Sequence, residues 1–99
     1  MASNRYLGKV TQGVDEECIY TADMSAWGSG VASPSVVVKT ADGTVVTDTV
    51  TEGSASVSND VITTPTIKAL TAWTQYRVEL SFTLGGNTLE AFFRIDAEE

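Results

Sequence analysis

Residues 76–96 read YRVELSFTLGGNTLEAFFRID, and their pattern decides the fold class. Tyr76, Val78, Leu80, Phe82 and Leu84 alternate with Arg77, Glu79, Ser81 and Thr83, the period of a strand with one face in a core. Leu89, Ala91, Phe93 and Ile95 alternate with Glu90, Phe92, Arg94 and Asp96 in the same way. Between them Gly85, Gly86 and Asn87 reach positive φ at low cost, so the two runs read as a hairpin. With Gly86 and Asn87 at the tip, Leu84 faces Leu89, Phe82 faces Ala91, Leu80 faces Phe93 and Val78 faces Ile95 on the inner side. The outer side then pairs Glu79 with Arg94 and Arg77 with Asp96. Exposed pairs of this kind contribute less than about 1 kcal/mol each, so they mark register more than they hold it.

Working outward, short runs rich in valine, threonine and aromatics are broken by Gly, Asn, Asp and Pro. Strands are expected at 6–12, 17–23, 35–40, 44–50, 54–58 together with 61–63, and 66–70, with a hairpin turn at Ala41–Gly43. Seven or eight strands suit a two-sheet antiparallel sandwich, because one sheet would leave an apolar face uncovered. Residues 24–34 carry two glycines, a proline and Trp27, and read as a loop at one end of the sandwich. The 99 residues are expected to form one domain, with residues 1–5 flexible.

The chain holds six basic and thirteen acidic residues, a net charge of −7. Arg5, Lys9, Lys39, Lys68, Arg77 and Arg94 never form a run, which argues against nucleic acid and anionic membranes as partners. A single cysteine, Cys18, excludes an intramolecular disulfide, and the lack of histidine removes the usual general base and zinc ligand. The opening residues are too polar for a signal sequence, so a soluble intracellular product is expected.

The segment LTAWTQYRVEL, Leu70 to Leu80, resembles the crossover between sheets in fibronectin type III and related immunoglobulin-like domains. That resemblance implies a Tyr76 hydroxyl bonded back to nearby backbone, with Leu70 buried beside it. Ala72 and Trp73 stand where the family often has Pro and Gly. More broadly, the stretch Lys9 to Trp27, with Tyr20, Thr21, Asp23, Ser25 and Trp27, then 64–76 and the terminal hairpin, resembles small proteins encoded among head, neck and tail genes of tailed bacteriophages and prophages. It implies an immunoglobulin-like virion structural or assembly component, present in the bacterial host cytoplasm during assembly or in the virion. Its partners would be other virion proteins or copies of itself.

No enzymatic arrangement is expected, and no cofactor or metal. Cys18 lies in a strand-like run and reads as a small buried hydrophobe. Asp15, Glu16 and Glu17, with Asp23, Glu98 and Glu99, read as a solvated surface, since no D-x-D-x-D-G calcium loop is present. Candidate interaction residues are Trp27, which either plugs the core edge or offers a contact surface, and Phe92, an outward aromatic expected opposite Ser81 and either covered by a loop or anchoring a neighbour. The structural positions are Leu70, Tyr76, Arg77, Glu79, Arg94, Asp96, Gly86 and Asn87. The alternative function is a carbohydrate-binding or adhesion module, in which Trp27 and Trp73 would stack on sugars; exposed, coplanar rings would favour it and separate burial would count against it.

Overall fold

The computed structural model describes residues 5–99. These form nine strands: β1 (Tyr6–Gly13), β2 (Thr21–Asp23), β3 (Ala32–Thr40), β4 (Thr51–Glu52), β5 (Ser56–Ser58), β6 (Val61–Thr63), β7 (Thr66–Ile67), β8 (Gln75–Leu84) and β9 (Asn87–Glu98). A 3-10 turn at Ser25–Trp27 and one helical turn, α1 (Thr47–Val50), complete the elements. Four strands make one sheet in the order β1-β9-β8-β3. Opposite it lie β2-β6-β5 and β4-β7. These two short sheets are joined where Cys18 and Ile67 exchange backbone hydrogen bonds of 3.0 and 2.8 Å. The result is an all-β, sandwich-like architecture.

Inner faces meet as the alternation requires. Val38, Val78, Leu80, Phe93 and Ile95 of the large sheet pack with Val50, Ile67 and Leu70 from the opposite layer. Phe82, Leu84 and Ala91 pack with Met24, Val31 and Ile62. Gln12 is fully buried between the layers, and its polar atoms are all used. Its Nε2 donates to the Ile67 carbonyl at 2.8 Å and the Glu16 carbonyl at 3.0 Å, while its Oε1 accepts from the Tyr20 hydroxyl at 2.7 Å. Burial, and then the neighbouring Cys18 and Glu16, push the Tyr20 hydroxyl pKa well up. Cys18 itself is half-buried.

Three expectations change. The terminal hairpin pairs Leu84 with Asn87, Phe82 with Leu89, Leu80 with Ala91 and Val78 with Phe93, two residues from the expected register. The tip is Gly85–Gly86, at φ 58° and 83°, because two glycines meet a primed two-residue turn's demand for positive φ without cost. Gly86 therefore stays at the tip, while Asn87 begins β9. A shift of two leaves every side chain on its expected face, so alternation cannot detect it. It does break the expected ion pairs: Arg77 lies opposite Arg94, and Gln75 opposite Asp96.

The run 44–50 is not a strand. Only Val45 bridges Lys39, and the chain then turns into α1. A strand would point Asp48 inward with Val46 and Val50; a helical turn keeps those valines, spaced four apart, against the core and leaves Asp48 exposed. The Thr47 hydroxyl secures the turn by accepting from the Val38 N–H at 2.9 Å. Finally, β1 joins β9 in parallel, so the sandwich is not wholly antiparallel. The expected flexible start falls, for residues 1–4, outside the described residues; the Arg5 carbonyl accepts from the Phe92 N–H at 2.8 Å.

Candidate functional site on the outer sheet face

Strand register creates what the sequence order hides. Lys39 lies opposite Arg77, Arg77 opposite Arg94, and Arg94 opposite Lys9. Four cations from four strands thus form one row across the outer face, spanning about 14 Å at ordinary strand spacing. A neighbouring row carries Val37, Glu79, Phe92 and Tyr6. On the other side of the cations lie Gln75, Asp96 and Thr11.

Two carboxylates serve the row. Glu79 Oε1 is 3.1 Å from Lys39 Nζ and its Oε2 is 2.9 Å from Arg77 Nε. The latter is an ion-pair distance reached without a hydrogen bond, since Arg77 Nε is buried and lacks a hydrogen-bond partner. Asp96 Oδ2 is 3.2 Å from Lys9 Nζ, and Asp96 Oδ1 is likewise buried without a partner. Among the described residues Arg94 makes no ion pair; its guanidinium lies exposed, 5.8 Å from the centre of the Tyr6 ring. Like charges placed directly opposite each other destabilise a sheet, so this arrangement is a cost to folding.

Phe92, expected opposite Ser81, lies opposite Glu79 instead. Its ring is half-buried, 3.8 Å below the Arg77 guanidinium and 5.3 Å from the Tyr6 ring. It therefore works as a platform beneath the Arg77 guanidinium. Beside the row a shallow concavity of about 330 Å³ is lined by Lys39, Gln75, Arg77, Glu79 and Arg94, together with Thr40, Ala41 and Gly43. In the turn after β3 the Thr40 hydroxyl donates to Asp42 and the Thr44 N–H donates to the same carboxylate at 3.0 Å, which together hold the Asp42 pKa below its usual range.

The two tryptophans differ. Trp27 is half-buried, its ring edge-on to Phe82 at 5.6 Å, and closes one end of the core. Trp73 is 76% exposed at a φ of 63°, at the opposite end, where it borders Thr40, Asp42 and Gln75. Trp27 packs on Phe82, seven residues along β8 from Gln75, so roughly 23 Å of strand lies between the two ends and the rings share no platform. Of the two rings weighed for sugar stacking, Trp73 is the exposed one and Trp27 the one packed on the core.

Near the crossover, Tyr76 and Leu70 are both buried, and the Tyr76 hydroxyl accepts from the Thr71 N–H at 2.8 Å. The carboxylates Asp15, Glu16 and Glu17 are exposed in the turn after β1, where Glu16 Oε1 accepts from the Gly13 N–H at 2.6 Å. The chain matches no protein family, no curated protein and no solved structure in comparison searches.

Proposed function

We propose that this chain is a non-enzymatic docking module of the phage or prophage structural type, working through the outer face of its large sheet. The observation that carries the reading is the row Lys39, Arg77, Arg94 and Lys9, flanked by Phe92. Arginine and aromatic side chains are enriched where proteins bind one another, and a planar guanidinium held on a ring is pre-positioned to take a carboxylate through two bonds. The chain accepts internal repulsion to present these cations, which is intelligible if a partner's acids neutralise them.

An immunoglobulin-like or fibronectin type III-like identity suits this role. Treating β4 with β5, and β6 with β7, as interrupted strands leaves β2, β6/β7 and β4/β5 facing β3, β8 and β9, an arrangement that supports the family reading. The bond from the Thr71 N–H to the Tyr76 hydroxyl supports it also. Partners would be neighbouring virion proteins or further copies, met in the host cytoplasm during assembly or kept in the particle. The carbohydrate-binding alternative loses its main support, because Trp27 and Trp73 lie at opposite ends of β8.

The test is co-sedimentation with the products of neighbouring genes. Binding by the wild-type chain that is lost in Arg94→Glu supports docking through this face. Equal binding by both chains would refute it.

A further inference from the structure

We infer that the cationic row receives the acidic end of a second copy of this chain, giving head-to-tail association. This rests on the docking reading and names its partner. The row sets four cations against two carboxylates in a protein whose net charge is −7. The remaining surface is therefore strongly acidic, and the fitting charge is carried by the same molecule.

That charge is concentrated. Asp15, Glu16 and Glu17 form the exposed turn after β1, and Gly13 lies opposite Glu98 of β9. The Val14 N–H donates to the Glu98 carbonyl at 2.8 Å, which fixes the turn beside Glu98. Four carboxylates are thus gathered where β1 and β9 end. Lys9 and Arg94 lie four residues back on those strands, about 13 Å away, too far for the turn to neutralise its own row. A neighbouring molecule has no such limit. Its exposed turn can meet the concavity beside Lys39, Arg77 and Arg94, with Asp15 supplying the contact and Glu17, which also feels its own Lys68, adding to the charge. Glu16 is already engaged with its own Gly13 N–H.

The two surfaces are different patches of one chain, so the contact is heterologous and propagates into a ring or an open array. An interface led by charge also weakens as salt rises.

Sedimentation of the full chain tests this through altered charge. The wild type associates with rising concentration at low salt and dissociates at high salt. Arg94→Glu and the double change Asp15→Asn/Glu17→Gln each lower the association constant by roughly tenfold or more, with far-ultraviolet circular dichroism unchanged. Mixed in equal amounts, they form a one-to-one dimer and nothing larger, since each keeps one intact half of the contact. A wild type that stays monomeric at low salt, Arg94→Glu that associates like wild type, or a mixture that stays monomeric would each overturn the inference. A monomeric chain that still binds a neighbouring gene product through Arg94 would remove the second copy as the occupant and leave the docking reading standing.

Discussion

Replacing Arg94 by threonine should make the folded monomer more stable while weakening its association. Arg94 faces Arg77 across one strand boundary and Lys9 across the other. The carboxylates that could shield it are engaged, Glu79 with Lys39 and Arg77, and Asp96 with Lys9. Like-charge opposition costs tenths of a kcal/mol up to about 1 kcal/mol per pair, and exposure of Arg94 places both pairs near the low end, about 0.3 kcal/mol each. Threonine adds a few tenths through its preference for strands. The loss is the contact with the Tyr6 ring, which at 5.8 Å is weak. The balance is about 0.5 kcal/mol in favour of Arg94→Thr, or roughly 2–4 °C in Tm for a domain of this size. Urea unfolding of dilute, monomeric protein measures it. The gain should shrink at about 1 M salt, where the screening length falls to roughly 3 Å, and Arg94→Lys should show no gain. A loss of 1 kcal/mol or more at low salt (~1 kcal/mol being a typical destabilising change) would mean that Arg94 holds the fold together, refuting the argument.

Tyr76→Phe removes the acceptor of the Thr71 N–H and should cost about 1–2 kcal/mol in chemical unfolding, with the lower figure expected because residue 71 is exposed enough for water to help. Trp27→Ala should cost about 2 kcal/mol by exposing Phe82, whereas Trp73→Ala should stay within about 0.5 kcal/mol, so the pair separates a core plug from a surface residue. The Asp42 carboxylate should titrate below the usual aspartate range by NMR, and Thr40→Val should move it back up. Because its folded pKa is depressed, whatever stability it adds is present above the ordinary aspartate pKa and lost as pH falls through the folded value; stability that instead rises with acid in that window would contradict the assignment.

The hairpin was legible because seventeen inner and outer positions keep one rhythm, and β8 and β9 bury the side chains the alternation selects. Its register was not, since a two-residue slip preserves every facing and only weak outer pairs differ in energy. Turn chemistry decided it: Gly85 joins Gly86 at the tip, and the preference for two glycines outweighs two surface ion pairs. Residues 44–50 misled for a related reason. Val45, Val46 and Val50 fit a strand by composition, but the position of Asp48 is compatible only with a turn that faces it outward.

The candidate site depended on that register. Lys9, Lys39, Arg77 and Arg94 are scattered along the chain, and their separation in sequence suggested no basic patch. Correct strand pairing aligns them, and the β1–β9 contact, parallel and long-range, supplies the fourth member. Phe92 was legible as an outward aromatic, yet its role beneath Arg77 required knowing that Arg77 lies diagonally beside it. Trp27 drew attention by composition alone, although Met24, fully buried at the start of the same turn, draws that segment onto the core.

The most direct measurement is a dilution series of amide NMR spectra on the wild-type chain at low salt. Concentration-dependent shifts confined to Lys9, Lys39, Arg77 and Arg94 on one surface and to Asp15–Glu17 on the other, suppressed together by salt, are the predicted result. Spectra that do not change with concentration, or shifts centred elsewhere such as Trp27, would contradict docking between these two surfaces.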